Sequence, residues 1–377
     1  MNDDCIVLIV GDPHFKTRQL NEASVLIKEI LRVTEETKPD AVVILGDVLD
    51  RHETIHVSPL TLAINLFEQL AKITKTYVII GNHDRKSNRE FLTEEHPFVG
   101  MKHRNDIIIV DRTLVTTIKH KKVTFVPYVA PGRFIEALNT VGNEWYDSTT
   151  IFCHQEFKGC DLGGIISEEG DNIMLRFNDD EEVHSVTEVM NNVIEETQNV
   201  IQQHVNKQDY EEISKMQIIS GHIHTHQIIG NIFYTGTPLQ VNFGEKEDKG
   251  IYLFNLKDNS NIKIKLNVPS KRKVCLTPDT MSAFTMEDNI LYKILITGNT
   301  SEMKGIQKHP LVLKWRKLKI PISYHHVVEK CDDDNNSSLA LQSCNSIVKF
   351  TDLLIHSFDD SKYKDDLLSM FRRVITS

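Results

Sequence analysis

One pattern restricts this chain more than any other: short apolar runs that end in turns built from Gly, Asp and His. Residues 5–10 lead into Gly11-Asp12-Pro13-His14. Residues 41–45 lead into Gly46-Asp47-Val48-Leu49-Asp50-Arg51, and residues 77–80 into Gly81-Asn82-His83-Asp84-Arg85. An apolar run without polar alternation suits a strand covered on both faces. Residues 19–37 place Ala23, Leu26, Ile27, Ile30, Leu31 and Val33 at helical spacing and stop before Pro39. Residues 60–73 repeat the helical pattern. Strand, turn and helix in this succession predict an α/β domain with a mostly parallel sheet. In such sheets the ligand site lies beyond the carboxyl ends of the strands, where all three turns fall.

Further strands are expected at residues 106–110, 122–126, 150–153, 216–219, 227–234 and 250–255. Residues 159–215 interrupt the pattern with an acidic run (Asp179 to Glu182) and a polar helical stretch near residues 188–204. No fixed period recurs, which excludes a solenoid. The charge changes character along the chain. Residues 269–377 hold 16 Lys or Arg and 13 Asp or Glu, against 27 and 40 before them. Residues 331–338 are polar and read as a linker. After them, Ile347, Phe350, Leu353, Leu354 and Phe358, then Leu367, Leu368, Phe371 and Ile375, predict two short amphipathic helices. The expected organisation is a catalytic domain over 1–268 with an insertion at 159–215, a smaller capping domain over 269–330 and a helical tail over 339–377.

A net charge of −10 argues against binding nucleic acid through a generally basic surface. Among the six cysteines no pair has C-x-x-C spacing, so neither a zinc knuckle nor a thioredoxin-like motif is expected. Cys5 and Cys153 lie in apolar runs and read as buried thiols. The acidic start and the lack of an apolar stretch near ~18 residues predict an intracellular, soluble protein with no membrane span.

The chemistry concentrates in five turns: Asp12-Pro13-His14, Gly46 to Asp50, Gly81 to Asp84, the lone His154, and Gly221-His222-Ile223-His224. Two divalent metals about 3.5–4 Å apart can clamp a phosphoryl group and activate a water. Mixed carboxylate, amide and imidazole donors suit manganese, iron or zinc better than an all-oxygen calcium or magnesium cage. The set resembles the calcineurin-like metallophosphoesterase superfamily, whose pattern D-x-H, G-D-x-x-D, G-N-H-D, H and G-H-x-H is complete here. The resemblance implies a four-layer αββα sandwich and two divalent metal ions, manganese first among the candidates. It implies that Asp12, His14, Asp47 and His224 hold one metal. Asp47, Asn82, His154 and His222 would hold the other, with Asp47 bridging. It makes His83 the group that meets the scissile phosphate or its leaving oxygen, with Asp84 orienting it from behind.

Residues 234–250, with Tyr234-Thr235-Gly236-Thr237, Phe243-Gly244-Glu245 and Lys249-Gly250, resemble the SbcD-type DNA repair exonucleases. His154-Gln155-Glu156 also resembles that branch and related viral metallophosphatases. This implies a DNA substrate in repair or recombination, an SbcC-like SMC-type ATPase as partner, a small α+β cap and a helical tail, and it leaves room for a homodimer. The insertion looks closer to phage and large-DNA-virus homologues. Arg51 and His52 are candidate substrate contacts. So are Lys314, Trp315 and Arg316, where an aromatic among cations suits stacking and phosphate contact. The competing reading of that stretch is an exposed strand with Trp315 turned inward. Two other functions compete with the nuclease: a phosphomonoesterase or Ser/Thr protein phosphatase on the same domain, and a non-catalytic scaffold.

Overall fold

The computed structural model describes residues 4–173, 207–246 and 248–326. The chain divides into two compact units, one of residues 1–274 and 284–294, the other of residues 275–283 and 295 onward. The predicted helices of the tail and the stretch near 188–204 lie outside the described residues.

The first unit is built on two six-stranded sheets. The first sheet has β1 (Ile6–Val10), β2 (Ala41–Ile44), β3 (Thr76–Ile79) and β4 (Ile107–Val110) side by side and parallel. Beyond β1 lie β11 (Ile251–Asn255) and β12 (Asn261–Ile264), each antiparallel to its neighbour. The second sheet runs β5 (Leu114–Ile118), β6 (Lys121–Val126), β7 (Thr150–Cys153), β8 (Gln217–Ser220), β10 (Ile232–Tyr234) and β9 (Gln227–Ile229). Its four inner strands are parallel, and β5 and β9 are antiparallel edges.

Apolar cores on both faces of each sheet account for the unbroken apolar runs. Between the sheets, Val7, Ile9, Val43 and Ile79 meet Phe125, Phe152, Ile219 and Phe233. Tyr77 stacks on Phe125 at 4.6 Å and Phe125 on Phe152 at 5.1 Å. The outer face of the first sheet is covered by α1 (Leu20–Thr37) and α2 (Val57–Ala71), through Leu26, Ile30, Leu66, Phe67 and Leu70. The outer face of the second is covered by α3 (Phe134–Asn139) and α4 (Lys207–Ser214), through Phe134, Leu138 and Ile213, with Trp145 beside them. The result is the expected αββα sandwich.

Register aligns the strand ends. Val10 pairs with Ile44 and Ile44 with Val78, and in the second sheet Cys153 pairs with Ser220. The turns that follow therefore leave their sheets at matching levels. The run expected as one strand over 227–234 is a hairpin that turns at Gly230, which has φ +56°.

A three-stranded sheet runs β13 (Ser270–Leu276), β14 (Ile290–Gly298) and β15 (Ile322–His326). The second unit contains α5 (Pro310–Lys317). Here the strand reading of the Lys314-Trp315-Arg316 stretch is corrected. Pro310 opens a helix, and Val312 and Trp315, three residues apart, face inward together. Trp315 is 3% exposed and so has no face to offer a base.

Candidate metal centre

The ligand turns are held in costly backbone conformations. His14, Asp47 and His222 have φ of 47°, 45° and 74°, the left-handed region that side chains other than Gly rarely adopt. Gly46 has φ +108°, and a Cβ there would lie 2.6 Å from His154 Nδ1. A Cβ on Gly81 would strike the Asp47 backbone nitrogen and carboxylate. The first two turns are tied by His14 N–H donating to Asp47 O at 3.0 Å.

Seven predicted ligands converge in two groups. In the first, Asp12, His14 and His224 offer ligand atoms all within 4.8 Å of one another. The two Nε2 atoms of His14 and His224 face each other at 3.0 Å. In the second, Asp47, His154 and His222 do the same. Asn82 Oδ1 lies 2.9 Å from both His154 Nε2 and His222 Nδ1. Asp47 faces both groups. Its Oδ2 is 3.8 Å from His14 Nε2 and its Oδ1 is 3.4 Å from His154 Nε2.

The far nitrogens of three rings are held from behind. His154 Nδ1 lies 2.8 Å from Leu45 O. His222 Nε2 is 3.6 Å from Glu156, and His224 Nδ1 is 3.7 Å from Glu245. Such partners orient an imidazole and fix which nitrogen is left for a metal. Glu245 is itself fixed by the backbone N–H groups of Val241 and Asn242 and by Lys249 at 2.8 Å. Glu156 accepts from Ser167 Oγ, and Asp171 accepts from Gln155 and from Phe134 N–H. The start of the predicted insertion thus buttresses the His154 turn.

Burial and crowding disturb these groups strongly. Burial pushes Asp12 up to about 7, and burial pulls His14 down to about 3. Burial works against charge on Asp47, but the His154, His14 and His83 rings hold it far below the usual carboxylate range. Burial likewise works against a charged His154, yet Asp47 and Asp12 raise it to about 9. Asp12 Oδ1 is buried without a hydrogen-bond partner. A buried carboxylate oxygen lacking a donor, among imidazoles whose lone pairs converge, is a donor set that fits a divalent cation.

His83 stands at the edge of the two groups, its Nε2 3.9 Å from Asp47 Oδ2. Its Nδ1 lies 2.8 Å from Asp50 O. The orienting role that the resemblance gives Asp84 therefore belongs to a backbone carbonyl. Asp84 instead accepts from the N–H groups of Val48, Leu49 and Gly81 at 2.9–3.2 Å and fastens two ligand turns together. It is reached by backbone donors because it is buried under the turn.

His52 lies beside His83, ring centroids 5.5 Å apart. Arg51 is exposed, and Asp50 pairs with Lys16 at 3.1 Å. Lys314, Trp315 and Arg316 belong to the second unit. Sequence reasoning missed Tyr128, whose ring lies 5.7 Å from His222, and the Asp50 carbonyl. Glu245 was visible only as part of a family-like stretch.

The calcineurin-like phosphoesterase profile matches residues 6–226, more than half of the chain, and takes in every ligand turn of the site, with Glu245 beyond it. The chain belongs to the calcineurin-like phosphoesterase family. Two viral proteins with provisional phosphoesterase names are similar along most of their length. Protein 244L of invertebrate iridescent virus 6 is 34% identical over 82% of this chain and 100% of its own. Protein 078R of invertebrate iridescent virus 3 is 32% identical over 80% and 79%. Among solved structures, the phosphoesterase YfcE from E. coli aligns with 69% of this chain and 99% of its own, at 10% identity and a TM-score of 0.30. Calcineurin-like phosphoesterases use divalent metals, and the two ligand groups here are this member's candidate two-metal site. No helix among the described residues is long and apolar enough to cross a membrane.

Proposed function

We propose that this phosphoesterase is a two-metal phosphodiesterase that cleaves DNA, of the SbcD type, with manganese as its metal and an SbcC-like ATPase as its partner. The observation that carries the reading is the position of Asp47, one carboxylate facing both ligand groups. When bound, two divalent ions supply Lewis-acid charge to the phosphoryl oxygens and make a water acidic enough to attack at neutral pH.

The chain's own residues align the substrate and move the proton. With its Nδ1–H donating to Asp50 O, His83 keeps Nε2 for the cleft. As the imidazolium it gives the Nε2 proton to the leaving oxygen and retains the Nδ1–H. Asp84 keeps the turns of Asp47 and His83 in register.

The preference for DNA is supported by the 234–250 segment, which resembles the SbcD branch and wraps the His222–His224 turn. Lys249 Nζ donates to His224 O and to Thr237 Oγ1, both at 2.8 Å. The two viral relatives, named as phosphoesterases, support the phosphoesterase part of this reading. The ATPase, a homodimer and a DNA-contacting cap over 269–330 belong to the same proposal. The tail proposed to meet the ATPase lies outside the described residues.

The test offers the full chain, loaded with manganese, linear single- and double-stranded DNA and 4-nitrophenyl phosphate. DNA cleavage that outpaces monoester turnover is expected. Rapid monoester turnover with intact DNA would overturn the proposal in favour of a phosphomonoesterase.

A further inference from the structure

Beside the His14 turn the first unit opens into a cavity of 480 Å³. Phe15 and Leu49, which line it, follow the His14 and Asp47 turns and pair as a parallel bridge. Lys16, Arg18, Asp50, Arg51 and Phe243 also line it. Asp50, the carboxylate among them, is already paired with Lys16. Arg18 and Arg51 are exposed, and neither has a carboxylate partner among the described residues. Phe243 is half-buried and touches no other aromatic ring among the described residues. Arg51 also lines the neighbouring cavity of 220 Å³ that His83 and Asp84 face, so it is common to both.

This combination has a specific chemistry. An unpaired guanidinium offers a planar fork of donors that matches a phosphate. An aromatic face beside it stacks an unpaired base. The volume falls within the ~300–1,000 Å³ of small-ligand pockets. Buried Trp315 cannot do this, whereas Phe243 can.

We propose that this trough is the subsite for the nucleotide next to the scissile phosphate. Its phosphate sits on Arg18 and Arg51, and its base lies unpaired against Phe243. The proposal rests on the phosphodiesterase reading above and sharpens it to a single-stranded or locally melted substrate, because a paired base has no free face for Phe243. It also resolves how an acidic chain takes a polyanion: the cations are few, unpaired and placed at the cleft.

The experiment uses the full chain with manganese. A single-stranded oligonucleotide, its duplex and bis(4-nitrophenyl) phosphate are compared at several salt concentrations. Phe243→Ala should raise KM for the single strand about 5- to 150-fold, and Phe243→Tyr should restore most of it. Arg18→Ala, at an exposed position that tolerates truncation, should flatten the slope of log kcat/KM against log salt by ~0.7. In both alanine variants the kcat/KM ratio of oligonucleotide to small diester should fall. If the wild type cleaves DNA but neither ratio nor slope moves, the subsite is wrong and the diesterase reading stands. A wild-type preference for the duplex also overturns the subsite. If the wild type leaves all nucleic acid and the diester intact and turns over only 4-nitrophenyl phosphate, offered in parallel as the monoester, both readings fall.

Discussion

Replacing Asp47 by Asn changes one charge and little else. Asn tolerates the left-handed backbone that Asp47 adopts at φ 45°, so the turn is preserved. The amide oxygen can still accept the His83 N–H that now reaches Asp47 Oδ1 at 2.8 Å. The negative charge between the two ligand groups is lost. The loss is unequal. Asp12 remains beside His14 and His224, but the group of Asn82, His154 and His222 has no second carboxylate. Removing a residue that merely supports a metal ligand costs about 10–100-fold in affinity. Removing the sole anionic ligand should exceed that, so one ion weakens by more than ~100-fold, about 2.7 kcal/mol. Calorimetric titration of chelator-treated protein with manganese reads this directly, with circular dichroism as the check on folding. The wild type should show two binding events and Asp47→Asn one. Two events of unchanged affinity in a folded variant would refute the bridging position.

Three further outcomes follow from the geometry. His83→Ala should keep its metals and lose about 10²–10⁴-fold in kcat, since His83 is assigned to proton transfer and not to ligation; metal analysis beside kinetics separates the two. Glu245→Gln should weaken the ion held by His224 by about 10–100-fold while sparing the other, as read by the same titration. Buried Lys271 donates to the Gln240 and Val241 carbonyls, and burial pulls it down to about 8. Its unfolded value is about 10.4, so the unfolded chain binds more protons between these values and stability should rise with pH across that window. Urea unfolding at pH 7 and 10.5 should show the wild type gaining about 3 kcal/mol on Lys271→Met; parallel behaviour of the two would contradict it.

The sandwich was legible because its central strands are buried on both faces, which leaves Ile6–Val10 and Ala41–Ile44 no polar position to blur the pattern. The ligands were legible because metal chemistry accepts few side chains and here they follow directly on those strands. Other features leave no local trace. β5 is mostly half-buried with two threonines, so its apolar pattern is weak. The group that holds His83 is a backbone carbonyl, which every residue possesses. Asp84 reads as an orienting carboxylate until its partners are seen to be three backbone N–H groups. The Trp315 stretch invites a strand reading because its cations alternate with apolar residues. Pro310 and the three-residue spacing of Val312 and Trp315 carry the helical signal. The pairs that brace the site, Glu156 with Ser167 and Gln155 with Asp171, join segments whose pairing only the folded chain reveals.

The central claim is that this chain holds two metals with Asp47 between them. Anomalous diffraction from crystals of the manganese-loaded protein tests it most directly. Two peaks about 3.5–4 Å apart are expected, one among Asp12, His14 and His224, the other among Asn82, His154 and His222, with Asp47 touching both. A single peak, or two peaks of which Asp47 touches only one, would contradict it.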